Sequence, residues 1–393
     1  MKSFNKTPQS ERLHIGIFGR RNAGKSSLLN AITGQNMAVV SPVKGTTTDP
    51  VSKAMEIPPI GPVLITDTAG LDDYGELGKL RTDKTRNVLR KTDVALLVVD
   101  AKEGLADEDK VLIKTLDEMG VKYLTVYNKV DLVDTAPHDG FPVSAKNGTN
   151  IHELKEKITD ICHTQENNRR LVADIITKGD IVVLVTPIDK AAPKGRLILP
   201  QQQAIRDIID TGAISIVVRD SEFRAALEKL KELPQLVITD SQVFDKISKE
   251  TPGDVKLTSF SILMARYKGV LDYAVQGAKT LDKIAENDKI LISEGCTHHR
   301  QCDDIGTVKL PRWIEKHTGV KPRYEFTSGG DFPQDLCEYK LIIHCGGCML
   351  NNREMLYRQH IAQTANVPMT NYGIAISYMQ GILERCISPF KKE

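Results

Sequence analysis

The sequence predicts an α/β protein of three domains, each built on a mostly parallel sheet. At 393 residues the chain exceeds what one ordinary core holds. Short apolar runs alternate with amphipathic stretches along its length, which is the pattern of βα units. Several of these runs close on polar residues or Gly, where parallel sheets present their ligands.

Taken in order, HIGIFG, VLITDTAG, DVALLVVD and YLTVYNKVD read as buried strands between His14 and about Gln165. SSLLNAITG and DEDKVLIKTLDEMG are the helices between them, and IHELKEKITDICHTQ closes the series with apolar residues at Ile151, Leu154, Ile158 and Ile161. The polar ENNRR, Glu166 to Arg170, marks the first boundary, giving a domain of residues 1–168. A second series, DIVVLVTP, QQQAIRDIIDTG, AISIVVRD, EFRAALEKLKEL and LVITD, fills residues 169–266. It holds no Cys, so a packing or oligomerisation role suits it. The third domain, 267–393, runs through a helix from about Tyr267 to Glu286, KILISEGC, a helix around PRWIEKHTG, PRYEF, YKLIIHCGGC and a long final helical region.

The composition, 40% hydrophobic and 26% charged, is that of a globular protein. Lys and Arg total 53 against 51 Asp and Glu, so no strong field points to nucleic acid or an anionic membrane as the main partner. MKSFNKTPQSERLH lacks the apolar centre of a signal peptide, and no apolar run is long enough to span a bilayer. Seven cysteines, all but one after residue 295, then point to metal or redox use in a cytoplasmic protein.

Gly19-Arg20-Arg21-Asn22-Ala23-Gly24-Lys25-Ser26 fits G-x-x-x-x-G-K-S between a strand and a helix. Its backbone N–H groups, from Asn22 and Ala23 through Ser26 and Ser27, can wrap phosphates, Lys25 reaches the β/γ oxygens and Ser26 ligates Mg²⁺. Asp67-Thr68-Ala69-Gly70 ends a strand where the carboxylate can hold Mg²⁺ through water and the Gly70 N–H can meet a γ-phosphate. Asn128-Lys129-Val130-Asp131 ends another, and Asp131 can accept the paired N–H donors of guanine. Ser144-Ala145-Lys146 follows the short strand FPV and supports the base. Four such elements in order predict a doubly wound P-loop GTPase that binds GTP and GDP. Within Val43 to Pro50, Thr47 is the expected ligand of Mg²⁺ and the γ-phosphate in a switch loop. Leu71-Asp72-Asp73 offers no water-positioning Gln, so hydrolysis is expected to be slow. The pattern resembles the potassium-activated subgroup of TrmE-like GTPases, which implies a K⁺ site at Asn22.

Two further clusters end strands of the third series: Cys296-Thr297-His298-His299 and His344-Cys345-Gly346-Gly347-Cys348. A redox dithiol would explain only Cys345 and Cys348. A zinc site and a cubane 4Fe–4S cluster each account for more of the set, and ligand chemistry alone leaves the two level. Cys162, Cys337 and Cys386 read as small core residues, His317 as a helix-end residue and Trp313 as packing; His299 and Cys302 read as loop residues.

A TrmE-like GTPase, a middle βα domain and C-x-H…H-C-x-x-C near the end resemble, across essentially the whole chain, the maturation GTPases of FeFe-hydrogenases, the HydF family. That resemblance implies a GTP-switched scaffold with a dimerising middle domain. It implies a 4Fe–4S cluster on Cys296, Cys345 and Cys348, with His298 and His344 at the fourth position or near cargo. It also implies a diiron precursor of the H-cluster as cargo, with apo FeFe-hydrogenase and two radical-SAM maturases as partners. The rival expectation is a GTPase of RNA modification or ribosome assembly with structural zinc.

Overall fold

The computed structural model describes residues 7–34, 51–68, 85–135, 137–166, 170–187, 197–296 and 304–391. The chain divides into two compact units, Met1–Asn168 and Arg169–Glu393.

The first unit holds a six-stranded sheet in the order β2-β3-β1-β4-β5-β6. Its strands are β1 (Leu13–Phe18), β2 (Val51–Ile57), β3 (Gly61–Asp67), β4 (Val94–Asp100), β5 (Lys122–Asn128) and β6 (Phe141–Pro142). All pairs are parallel except the β2–β3 hairpin. The strand period of two decides the layers. On β4, Val94, Leu96 and Val98 face one apolar cluster, with helices Lys25–Thr33 and Ile151–Glu166. Ala95, Leu97 and Val99 face the other, with helix Asp107–Glu118. An apolar run with no alternation is what burial on both faces demands. The sequence reading missed β2, because its exposed, mixed side chains carry no edge-strand signal.

The second unit holds two four-stranded parallel sheets, in the orders β10-β9-β7-β8 and β12-β11-β13-β14. The first comprises β7 (Ile181–Val185), β8 (Ile214–Val218), β9 (Leu236–Thr239) and β10 (Lys256–Ser259); the second β11 (Lys289–Glu294), β12 (Arg323–Ser328), β13 (Leu341–His344) and β14 (Met369–Asn371). Helix Phe260–Tyr267 joins them: Ile262 and Ala265 sit in the core that runs from Val237 to Ile342, while Phe260, Leu263 and Met264 pack with Leu184 and Ile238. The expected boundary at 266–267 thus falls at the end of a shared helix.

Three expectations differ from the structure here. The helix expected from Tyr267 to Glu286 is Leu271–Ala278 followed by a 3₁₀ turn at Lys279–Lys283, after a break at Gly269 with φ +78°. The final helical region is interrupted: helix Asn352–Thr364 ends near Asn366, Pro368 blocks continuation, and β14 intervenes before Tyr372–Met379 and Leu383–Ile387. Cys337 is exposed, not a core residue, whereas Cys162 and Cys386 are buried. Gly277 lets its helix lie on β14, since a Cβ there would stand 2.2 Å from the Met369 carbonyl oxygen. No described helix is long and apolar enough to cross a membrane.

Candidate functional site

The P-loop follows the tip of β1. Gly19 (φ +139°) has no room for a side chain, because a Cβ would meet the Val98 carbonyl oxygen at 2.2 Å. Gly24 (φ +93°) caps helix Lys25–Thr33 in the left-handed region, and a Cβ there would meet Asn128 Nδ2 at 2.2 Å. Asn22 also adopts positive φ, +62°. The result is a loop shaped by its backbone, with Ala23 and Ser27 flanking the helix start. Lys25 is buried and its Nζ donates to the carbonyls of Gly19 and Arg20, both at 2.8 Å.

Ser26 Oγ donates to Asp67 Oδ2 at 3.1 Å, at the tip of the neighbouring β3. The other carboxylate oxygen, Oδ1, is buried and has no hydrogen-bond partner among the described residues. Burial raises the Asp67 pKa, against the lowering pull of the Ser26 hydroxyl and Lys25. A hydroxyl beside a buried, under-satisfied carboxylate is a donor set that suits a hard divalent cation such as Mg²⁺.

Asn128 ties the loops together. Its Nδ2 donates to the Ala23 carbonyl and its Oδ1 accepts the Ala145 N–H, each at 3.0 Å. Lys129 (φ +66°) pairs with Asp100 at the tip of β4, 2.7 Å away. Burial opposes ionisation of Asp100, but the Lys129 hydrogen bond and its charge hold the pKa below the usual carboxylate value. Asp131 Oδ1 accepts from Ser144 Oγ at 2.6 Å, and Lys146 is exposed beside it. The structure therefore gathers Asn22 to Ser27, Asp67, Asn128 to Asp131 and Ser144 to Lys146 at one sheet edge. Thr47, Gly70 and the Leu71–Asp73 stretch lie outside the described residues. Sequence reading missed the Lys129–Asp100 pair and Arg20, which bonds Asp109 and the Gly104 carbonyl.

The second sheet builds the cysteine centre. β11 and β13 are parallel neighbours with Ser293 opposite His344, so Gly295-Cys296 and Cys345 leave adjacent strand tips. The Cys345 N–H donates to the Ser293 carbonyl at 2.9 Å, continuing the ladder one residue past β13. Cys345 Sγ accepts the N–H of Gly295 at 3.1 Å and of Gly347 at 3.4 Å. Gly347 needs to be glycine: its φ is +64° and a Cβ would stand 2.7 Å from Met355 Sδ.

Burial pushes the Cys345 thiol up to about 12, and the neighbouring Cys296 and then Cys348 add to the rise. Burial also raises Cys348, partly offset by the buried Lys268, whose Nζ donates to the Leu350 carbonyl at 2.7 Å. Two thiols that burial holds back from ionising, Cys345 and Cys348, with Cys296 beside the first and backbone N–H groups aimed at its sulfur, fit a thiolate-bound metal cluster. Among the described residues, no three His, Cys, Asp or Glu side chains come close enough to ring a single metal ion.

His344, expected at the fourth iron position or near cargo, is engaged within the chain on both sides of its ring. It is fully buried, its Nδ1 lies 2.8 Å from the Cys345 carbonyl oxygen and its Nε2 2.9 Å from Arg358. Both ring nitrogens are taken within the chain. His298, His299 and Cys302 lie outside the described residues. Arg358 and Glu354, buried beneath the centre, were missed because their i,i+4 spacing reads as an exposed surface pair.

Comparison with known proteins separates the two units. Residues 14–129 match the 50S ribosome-binding GTPase family. Residues 171–269 match the hydrogen maturase F dimerization domain and 272–389 the hydrogen maturase F tetramerization domain. The chain belongs to the hydrogen maturase F family. Its GTPase module is similar to GTPase Der of Wolinella succinogenes, 38% identical over 42% of this chain and 39% of that protein. It is likewise similar to the tRNA modification GTPase MnmE of Dechloromonas aromatica, 36% identical over 38% of this chain and 35% of the relative. The chain thus spans under two fifths of the length of these curated relatives. A structure of Aquifex aeolicus Era bound to GDP and aluminium fluoride aligns over 52% of this chain and 92% of that one, with 21% identity and a TM-score of 0.35. As a hydrogen maturase F member, the chain carries its nucleotide loops in the GTPase module and its cysteine centre in the tetramerization module. The two C-terminal modules are those of a homo-oligomer.

Proposed function

We propose that this protein binds GTP with Mg²⁺, hydrolyses it, and uses the nucleotide state to govern a scaffold for iron–sulfur cargo. The cysteine centre carries that reading. Cys296 and Cys345 follow adjacent parallel strand tips, and both Cys296 and Cys348 lie near enough to bear on the Cys345 thiol, which supports one shared centre. These thiolates would hold a 4Fe–4S cluster, which supplies an iron–sulfur platform for a diiron precursor of the H-cluster. Apo FeFe-hydrogenase would receive that precursor, and two radical-SAM maturases would build it. The chain's own residues direct the Gly295 and Gly347 N–H groups at Cys345 and leave its thiol half-buried.

At the nucleotide site, Lys25 would exchange its two loop carbonyls for phosphate oxygens. Ser26 and Asp67 would position Mg²⁺ together with Thr47, and Gly70 would meet the γ-phosphate. Asp131, held by Ser144, would accept from guanine. Asn22 would hold K⁺ beside the phosphates, and hydrolysis would be slow without it; equal rates in sodium and potassium would remove that part. The β8 edge, which exposes Ile214 (51%) and Val217 (42%), offers a second copy an apolar strand to pair with. Its place in the module of residues 171–269 supports a homodimer, in a protein working in the cytoplasm on three domains, 1–168, 169–266 and 267–393.

The test is purification without oxygen. A brown protein with iron and sulfide in near-equal amounts and broad absorption near about 400 nm is expected of thiolate-bound cubanes. A colourless protein holding one tight zinc would favour an RNA-related GTPase. That rival draws on relatives matching the GTPase module alone, while residues 171–389 match the hydrogenase-maturation family.

A further inference from the structure

We infer that Arg358 is a positioning residue that braces the strand tips under the cysteine centre through His344, and that His344 serves this brace and not iron. The inference deepens the cluster reading above and takes its functional meaning from it.

Arg358 is among the largest fully buried side chains, in the middle of helix Asn352–Thr364. Its donors reach three neighbouring strands at their C-terminal ends. One terminal nitrogen lies 3.3 Å from Ser293 Oγ on β11 and 2.9 Å from His344 Nε2 on β13. The other donates to the Gly329 carbonyl, one residue past β12, at 2.7 Å. Glu354 Oε1 accepts from Nε at 3.0 Å and from that second nitrogen at 2.9 Å. The Phe332 ring covers the guanidinium, with its centroid 4.9 Å from the central carbon.

The chemistry fixes the histidine. A guanidinium has donors only, so Nε2 must be the acceptor and the ring proton must sit on Nδ1. That proton is then donated to the Cys345 carbonyl, 2.8 Å away. The ring is a rigid spacer between a buried cation and the backbone of a cysteine whose N–H is already held by Ser293. Ser293 and His344 face each other across β11 and β13, so one fork sets the separation of the two tips that carry Cys296 and Cys345. Because Glu354 offsets the charge, what Arg358 contributes is geometric: a planar fork that Lys cannot copy.

The experiment uses the full chain labelled with ¹⁵N-histidine, first as apoprotein and then loaded anaerobically with ferrous iron and sulfide. In the apoprotein, nitrogen shifts should show one histidine fixed as the Nδ1–H tautomer, missing from His344→Gln and altered in Arg358→Lys. In the reduced, loaded protein, pulsed EPR should show the same histidine coupling to the cluster, present or absent, in wild type and His344→Gln. A chelator should strip iron several-fold faster from Arg358→Lys and from His344→Gln than from wild type, and from the double variant no faster than from either single variant. An apoprotein without that tautomer would overturn the brace, as would a coupling lost only in His344→Gln or rates that multiply in the double variant. Wild-type protein that takes up no cluster would instead sink the cluster reading, while the tautomer result still decides the brace.

Discussion

The nucleotide site and the cysteine centre both sit at the carboxyl edge of a parallel sheet, yet they are assembled in opposite ways. The first is made of loops shaped by their backbone, and apart from Asp67 Oδ1 its key side chains are already engaged within the chain: Lys25 on the carbonyls of Gly19 and Arg20, Asn128 on the backbone of Ala23 and Ala145, Asp131 on Ser144. At the second, burial raises the Cys345 and Cys348 thiols, so their ionisation is costly until a cation arrives. A site of the first kind exchanges its ligand readily. One of the second kind keeps what it binds.

The largest expected effect separates the two outright. Cys345→Ser should abolish iron and sulfide retention while leaving GTP turnover within about twofold of wild type; parallel loss of both activities would mean the sites do not stand apart as described. Lys25→Ala should do the reverse, cutting turnover on the order of 100-fold, the scale seen when one preorganised donor is removed, with iron content unchanged. Asp131→Asn should shift nucleotide preference from GTP toward XTP by roughly tenfold or more, since one lost hydrogen-bond partner is worth about 1.5–3 kcal/mol when charged; preference left with GTP would remove Asp131 from base recognition.

The smallest effect concerns Asp67. Its raised pKa means that the native state holds the proton more tightly than the unfolded chain, so its stability relative to Asn is greatest in acid and falls as pH rises past the ordinary value of 3.8. Asp67→Asn should therefore stabilise the metal-free protein at pH 7 by on the order of 1 kcal/mol, because the neutral amide avoids the desolvation of a buried carboxylate. The gain should shrink as pH falls toward the ordinary carboxylate value of 3.8, and with saturating Mg²⁺ and GTP. Thermal midpoints measured across pH, with and without ligand, would show it; a destabilised variant at pH 7 would mean that Oδ1 finds a partner after all.

How much of each site could be read from sequence follows from the same contrast. Gly19, Gly24, Lys25 and Ser26 stand at fixed spacings because backbone geometry requires them, so the loop is visible in one dimension. The cysteine centre was half legible. Strand-end placement brought Cys296 to the Cys345–Cys348 pair, since apolar KILIS and KLIIH must lie in the sheet. The histidine's work was not visible, because it depends on Arg358, whose place in NREMLYRQH looks like an exposed charge. Nor were β10 and β14: at four and three residues, with Thr258, Ser259, Thr370 and Asn371 buried, they are too short and too polar to show a strand period.

Helix Phe260–Tyr267 has a practical corollary. With Ile262 and Ala265 in the core that reaches both sheets and Leu263 and Met264 packed with Leu184 and Ile238, it acts as a common keel. Severing the polypeptide just after Arg266 would strand that keel with one oily flank bare and take the opposite lining from its partner. The clean place to cut lies near Asn168, so the last 225 residues should be expressed as one piece.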